Sequence, residues 1–370
     1  MPAPDRAPVL VAAGGTGGHL FPAEALAAAL ARRGIAVHLA TDRRAARYGD
    51  AFAPQAVHVV ASDTLRSNNP VALARTAATL GAGLLQAFML IGRLKPAAVI
   101  GFGGYPTIPP VLAGSWRGVP SIIHDANAVI GRANRLLAPR VTAIATTFPD
   151  VLSAEPALAR KSTLTGNPVR PAVVAAAATP FPTAFEPLRL LVFGGSQGAR
   201  VMADVVPAAI EMLDQSVRAR IAVVQQSREE DLPRVQAAYA KLAVPAEIAA
   251  FFTDLPARMA ASHLVVARSG ASTVAELAAI GRPGILVPLP HAIDQDQFAN
   301  AGVLEHLGGA IRLPQQNFTP QRLAEEIATL AAAPQRLAAM AAAARSAGRL
   351  DAAERLADLV VKVAAIAGNQ

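Results

Sequence analysis

The chain has 370 residues, 53% hydrophobic and 16% charged, enough for two domains of ordinary size with real cores. It contains no cysteine, which excludes disulfides and thiolate metal sites and fits a reducing compartment. A formal charge of +8 favours anionic partners, yet 4% aromatic content, no zinc-finger spacing and no basic helix exclude nucleic acid. Acidic lipid headgroups and phosphorylated substrates remain.

Met1–Pro8 is polar and proline-rich, and Val9–Ala13 is too short for the apolar core of a signal peptide. Val9–Ala13 reads as a strand feeding the turn Gly14-Gly15-Thr16-Gly17-Gly18-His19. A helix over Ala23–Arg33 follows, which Pro22 starts and Gly34 stops. Backbone N–H groups at such a turn suit an anion or a polar ligand. No Gly-Lys-Ser/Thr follows, and Leu20 stands where the dinucleotide fingerprint needs glycine, so neither of those phosphate motifs fits. The positive end of the helix dipole disfavours imidazolium, which would leave His19 neutral and able to accept a proton.

Further strands are predicted at Val37–Ala40, Ala56–Val60, Ala97–Ile100, Ser121–His124 and Thr142–Ala145, with helices at Pro70–Leu94 and Ala133–Leu137. Short apolar strands separated by helices predict a parallel sheet covered on both faces, with ligands at the carboxyl ends of its strands. The uncharged stretch Thr76–Gly92 carries Gly81, Gly83 and Gln86, which favours a buried or surface-lying helix over a spanning one. The segment Arg66–Lys95 is either a core helix or an interfacial face, with Leu80, Leu84, Leu85, Phe88, Met89 and Ile91 in lipid and its basic residues on headgroups. Trp116-Arg117 and Arg132, Arg135 and Arg140 could extend that patch. Two loops, Gly103–Thr107 and His124-Asp125-Ala126-Asn127, follow strands, and Asn127 reads equally as a helix N-cap.

The proline-rich stretch after Thr163 reads as a linker, with the boundary near Gly166 and Arg170 at the junction. The domains are therefore 7–166 and 167–350. The second domain repeats the alternation, with strands at Leu188–Phe193, Ile221–Gln225, Glu247–Phe251, Leu264–Ala267, Gly284–Val287 and Ala310–Leu313. Gly194–Arg200 is a second strand–glycine–helix turn offering Ser196, Gln197 and bare amides to a diphosphate. Ser269–Thr273 opens a helix over Thr273–Ala279 in which Glu276 shares a side with Ser272, so amides could hold phosphate while the carboxylate accepts from ribose hydroxyls. Alone, Glu276 also reads as a capping-box acid. Asp294-Gln295-Asp296-Gln297 is a polar loop suited to sugar hydroxyls, and a last helix over Asp351–Ala367 packs back on the first domain.

In this order GGTGGHLFP, GFGGYPT, HDAN, TGNPVR, GGSQGAR and RSGASTVAEL resemble the MurG family of UDP-N-acetylglucosamine transferases of peptidoglycan synthesis, over nearly the whole chain. The resemblance implies an α/β fold of GT-B architecture: two Rossmann-like, doubly wound parallel-sheet domains with the active site in the cleft between them. It implies an inverting hexosyltransferase that moves GlcNAc from UDP-GlcNAc to the MurNAc 4-hydroxyl of undecaprenyl-diphosphoryl-MurNAc-pentapeptide, serving cell-wall synthesis, cell shape and division. It also implies that no cofactor or metal is required. Another GT-B glycolipid transferase or a UDP-GlcNAc 2-epimerase would share the donor loops.

By the same resemblance His19 is the catalytic base. Donor contacts fall on Thr16, Gly17, Gly18, Asn127, Arg170, Ser196, Phe252, Ala271, Ser272, Thr273, Val274, Glu276 and Gln297. Glu276 would hold the ribose, Gln297 the GlcNAc hydroxyls, and Phe252 would lie beside the uracil. The family commonly reads HEQN where this chain has His124-Asp125-Ala126-Asn127. The implied partners are UDP-GlcNAc, the lipid-linked acceptor, anionic membrane lipids and other cell-wall proteins. The implied location is peripheral, on the cytoplasmic face of the bacterial inner membrane.

Overall fold

The computed structural model describes residues 7–14, 17–43, 56–63, 69–195, 198–290 and 294–366. The chain divides into two compact domains, Met1–Arg170 with Leu350–Gln370 and Pro171–Arg349. The division falls between Arg170 and Pro171, just beyond the Gly166 turn.

The first domain is a seven-stranded parallel sheet in the order β3-β2-β1-β4-β5-β6-β7. Its strands are β1 (Val9–Ala12), β2 (Val37–Thr41), β3 (Val57–Val59), β4 (Ala98–Gly101), β5 (Ser121–Asp125), β6 (Ala143–Thr146) and β7 (Ser162–Leu164). Alternation along β1 sends Val9 and Val11 to one face and Leu10 and Ala12 to the other, so both faces are buried. On the first face Val9 and Val11 share a core with Leu20, Leu26 and Leu30 of the helix Gly17–Arg32 and with Leu356, Val360 and Val363 of the helix Ala352–Ile366. Arg32 and Arg33 meet Glu354 at 2.6 and 2.5 Å, and Arg33 meets Asp358 at 2.6 Å, so the last helix is anchored to the first. The opposite face packs on Ala87, Leu90 and Ile91 and on Val111 and Leu137.

The first helix starts at Gly17, not at Pro22. Gly17 and Gly18 adopt the first turn, and Pro22 forfeits only the bond to the Gly18 carbonyl. Pro109 and Pro110 likewise sit in the opening turn of a helix over Ile108–Trp116, where a missing N–H costs nothing.

The helix Pro70–Leu94 matches its predicted bounds and, among the described residues, is the one long and apolar enough to cross a membrane. It lies against its domain through Thr76, Gly83, Ala87, Leu90 and Ile91 and leaves Val71, Leu73, Leu85, Phe88 and Met89 exposed. The core-helix alternative therefore holds for one stripe only.

The second domain has six parallel strands in the order β10-β9-β8-β11-β12-β13. They are β8 (Leu188–Phe193), β9 (Ile221–Gln226), β10 (Ala246–Ala249), β11 (Leu264–Ala267), β12 (Gly284–Leu286) and β13 (Ala310–Arg312). The β10 strand ends before Phe251, short of its predicted bound, so Phe251 and Phe252 belong to the loop that follows it. Arg282 is fully buried and donates to the carbonyls of Ala260, Ile280, Gly281, Thr179 and Pro180. It thereby ties residues 179–180 to the end of the helix Ala271–Ile280.

Candidate active site

Both sheets reverse their strand order at one place, between β1 and β4 in the first domain and between β8 and β11 in the second. Ligands of doubly wound sheets bind outside the carboxyl ends of the strands at such switch points. The glycine-rich turns after β1 and β8 stand there, each opposite a second loop, after β4 and β11 respectively.

In the first domain the His19 ring rests on the loop after β4. A methyl group built on Gly103 would stand 3.4 Å from its Cε1, and one on Gly104 3.4 Å from its Nε2. Both glycines have positive φ, +87° and +73°, a form that side chains oppose, and their missing side chains leave room for the imidazole close against the backbone. Gly14 closes on Pro106 and Thr41 in the same way, at 3.0 and 3.3 Å. Thr16 lies outside the described residues.

The loop after β5 is built on a buried carboxylate. Asp125 accepts from the amides of Asn127 and Gly131 at 3.1 and 2.9 Å and from Nδ2 of Asn134 at 3.0 Å. The next helix, Arg132–Leu137, is capped at Gly131, so Asn127 is not its N-cap. Asp125, where the family commonly has Glu, shapes the turn that carries Asn127.

His124 is wholly buried, donates from Nε2 to the Gly166 carbonyl at 3.0 Å, and has its pKa pushed down to about 4 by burial, with the nearby His19 imidazole adding to the effect. His124 Nδ1, Asn134 Oδ1, Thr147 Oγ1 and Asn167 Oδ1 are buried with no hydrogen-bond partner among the described residues. These atoms offer polar capacity to a ligand or water. Asn134 carries no motif signal; its distance from the HDAN motif hid its part in this loop. Arg170 stacks on Phe21, its guanidinium carbon 4.5 Å from the ring centroid.

In the second domain the helix after β11 begins at Ala271, two positions ahead of the predicted Thr273. Gly270, in extended conformation, opens it without a side-chain cap, so Ala271, Ser272 and Thr273 all contribute first-turn N–H groups. The Ser272 hydroxyl is buried with no hydrogen-bond partner among the described residues. Glu276 is buried and is the sixth helical residue, beyond the third position where a capping-box acid acts. Its capping alternative falls away. Val274 is fully buried in the body of the helix.

Gln297 is brought beside this turn, because Ser269 Oγ donates to its carbonyl at 2.8 Å and Asn300 Nδ2 donates to Ser269 O at 3.3 Å. The Gln297 side-chain oxygen accepts from the Leu289 amide at 3.0 Å, which leaves its NH₂ as the group that can turn to a sugar. Arg268, unmarked in the sequence, donates to Val287 O, Pro288 O and Gln315 Oε1 and holds the loop after β12.

At the turn after β8 a methyl on Gly194 would meet the Ala199 nitrogen at 2.2 Å, and Gly198 has a φ of +67°. Only glycine fits this close strand–helix passage, and the helix starts at Arg200. Ser196 and Gln197 lie outside the described residues. Phe252 is buried beneath Arg258, 4.3 Å from ring centroid to guanidinium carbon, whereas Phe251 is exposed. Among the described residues no cluster of three or more His, Asp or Glu side chains suits a metal ion.

Residues 9–146 match the glycosyltransferase family 28 N-terminal domain and residues 189–356 the family 28 C-terminal domain. The chain is 66% identical over 363 residues to the UDP-N-acetylglucosamine–N-acetylmuramyl-(pentapeptide) pyrophosphoryl-undecaprenol N-acetylglucosamine transferase of Rhodopseudomonas palustris (strain BisB18), covering 98% of this chain and 97% of that one. The crystal structure of Acinetobacter baumannii MurG superposes with a TM-score of 0.78 at 29% identity, covering 96% of this chain and 99% of that one. A UDP-GlcNAc 2-epimerase from Neisseria meningitidis superposes at 0.67 but is only 13% identical, with 96% and 99% covered, and shares the fold alone. Two parallel α/β domains with these turns at their switch points, matched end to end, establish that the chain belongs to glycosyltransferase family 28, in its MurG group, with the GT-B fold.

Proposed function

We propose that this chain transfers GlcNAc from UDP-GlcNAc to the MurNAc 4-hydroxyl of undecaprenyl-diphosphoryl-MurNAc-pentapeptide, forming a β-linkage with inversion. The observation that carries this reading is the end-to-end 66% identity to a transferase named for that reaction.

The second domain holds the donor. First-turn amides of Ala271, Ser272 and Thr273, at the positive end of a helix dipole, take the diphosphate together with the Ser272 hydroxyl. Glu276 accepts from the ribose hydroxyls, Gln297 reads GlcNAc, Phe252 flanks the uracil, and Val274 packs the helix that presents these groups. Ser196, by sequence, adds a hydroxyl to the same diphosphate.

The first domain supplies the base. His19 takes the proton from the MurNAc 4-hydroxyl as that oxygen attacks the anomeric carbon and UDP leaves from the opposite face. Such general-base help is worth about 10²–10⁴-fold. Thr16, Gly17 and Gly18 let sugar approach the backbone closely, and Asn127 and Arg170 add polar and cationic contacts to the donor. Negative charge on the departing UDP is met by amides and arginine, so the step asks for no metal.

The chain works as a peripheral protein on the cytoplasmic membrane face. Support comes from exposed Leu85, Phe88, Met89 and Trp116, with Arg117 stacked 3.8 Å from the Phe88 centroid and Arg75, Arg93 and Lys95 exposed along the same helix. The test is transfer of labelled GlcNAc to a lipid-linked MurNAc-pentapeptide analogue in the presence of EDTA. Label on the MurNAc 4-oxygen is expected; release of labelled ManNAc or failure to transfer would overturn the reading.

A further inference from the structure

Phe21 lies one turn into the helix that begins at Gly17, and its ring faces two ways. Toward its own helix it covers Gly17: a methyl there would stand 3.0 Å from Phe21 Cε2 and 3.1 Å from Cζ. Toward the loop after β7 it underlies Arg170, whose guanidinium carbon is 4.5 Å from the ring centroid. The Phe21 ring therefore contacts both Gly17 and Arg170, joining the start of the first helix to the last residue before the domain division.

The backbone on either side of Arg170 is already fixed. Asn167 and Val169 are buried, and Pro171 opens the helix Pro171–Ala176. The Arg170 side chain is long and must surrender several torsions to place its planar cation. A face-on aromatic ring removes much of that freedom before any ligand arrives and adds cation–π attraction.

We propose that Phe21 is a positioning residue for donor binding: it holds the Arg170 guanidinium in the orientation in which that group meets UDP-GlcNAc. The inference rests on the donor role given to Arg170 above. It also explains the residue at position 17, since any side chain there would displace the ring on which the arginine rests. Phe21 itself touches no reacting atom.

The test is a double-mutant cycle on the full chain, with UDP-GlcNAc affinity read by titration calorimetry. Phe21→Leu should weaken binding roughly threefold to thirtyfold, the span of cation–π contacts from exposed to desolvated sites. Phe21→Tyr should retain wild-type affinity. In an Arg170→Ala background, Phe21→Leu should cost nothing further. Should Phe21→Leu fold poorly, Phe21→Met provides the same readout, because it keeps a similar apolar volume and loses the flat ring. A loss of equal size in both backgrounds overturns the positioning role and leaves the donor role of Arg170 standing. An Arg170→Ala protein with wild-type affinity overturns that donor role and this proposal with it.

Discussion

His124 Nε2 donates to the carbonyl of Gly166 at 3.0 Å, tying the end of β5 to the turn after β7 through an imidazole with no exposure to solvent. Its pKa stands at about 4 against a usual 6.5, chiefly because burial penalises the charged ring. The sign follows directly. Between those values the unfolded chain binds a proton that the folded one refuses. The stability from neutral His124 is thus complete above pH 6.5 and lost as pH falls toward 4, by about 3 kcal/mol in all. Denaturant midpoints measured from pH 7 to pH 4 should fall more steeply for the wild type than for His124→Asn. Parallel slopes would contradict the account.

Asp125 organises the turn that carries Asn127 by accepting from three donors. Asp125→Ala strands those donors and should lower stability by about 2–4 kcal/mol while weakening UDP-GlcNAc binding. Thermal unfolding and calorimetry on the same sample check both, and an unchanged midpoint would deny the turn its dependence on the carboxylate.

Glu276→Gln should weaken UDP binding by about tenfold or more, since a charged acceptor for ribose hydroxyls becomes a neutral one. Binding of uracil alone should hardly change. Equal UDP dissociation constants for the two proteins would remove Glu276 from the ribose.

Gly83 meets the carbonyl oxygen of Ala61 so closely that a methyl group would stand 1.9 Å from it. Gly83→Ala must push the helix Pro70–Leu94 off its seat and should cost about 1–3 kcal/mol, read as a fall of several degrees in melting temperature. A protein as stable as the wild type would show that this helix is not seated through Gly83.

Replacing Leu85, Phe88 and Met89 together by Ser should cut binding to vesicles containing phosphatidylglycerol by about tenfold or more. The wild-type interaction should weaken with salt, since arginines and a lysine border the apolar face. Undiminished binding by the triple variant would place the membrane contact elsewhere.

Much of this was legible in the sequence because apolar strands followed by glycine turns leave a strong local trace. Leu188–Phe193 and Leu264–Ala267 appear with their predicted bounds. β7 leaves little trace because Ser162-Thr163-Leu164 is a short, largely exposed edge strand without an apolar pattern. The helix at Ile108–Trp116 leaves a weak trace because Pro109 and Pro110, which break a helix interior, here fill an opening turn. At the site, compact motifs such as GGTGGH and HDAN leave a local trace in the sequence. Partnerships that reach outside a motif leave none: Asn134 against Asp125, Ser269 against Gln297, Phe21 against Arg170. Such pairings exist only once the sheet has brought its loops to one end.

The most direct measurement compares wild type and His19→Ala for transfer of labelled GlcNAc to the lipid-linked MurNAc-pentapeptide analogue, with UDP-GlcNAc affinity measured on the same proteins. The account predicts β-linked product from the wild type, a loss of about 10²–10⁴-fold in turnover on removing the imidazole, and nearly unchanged donor affinity. Full turnover by His19→Ala would contradict it.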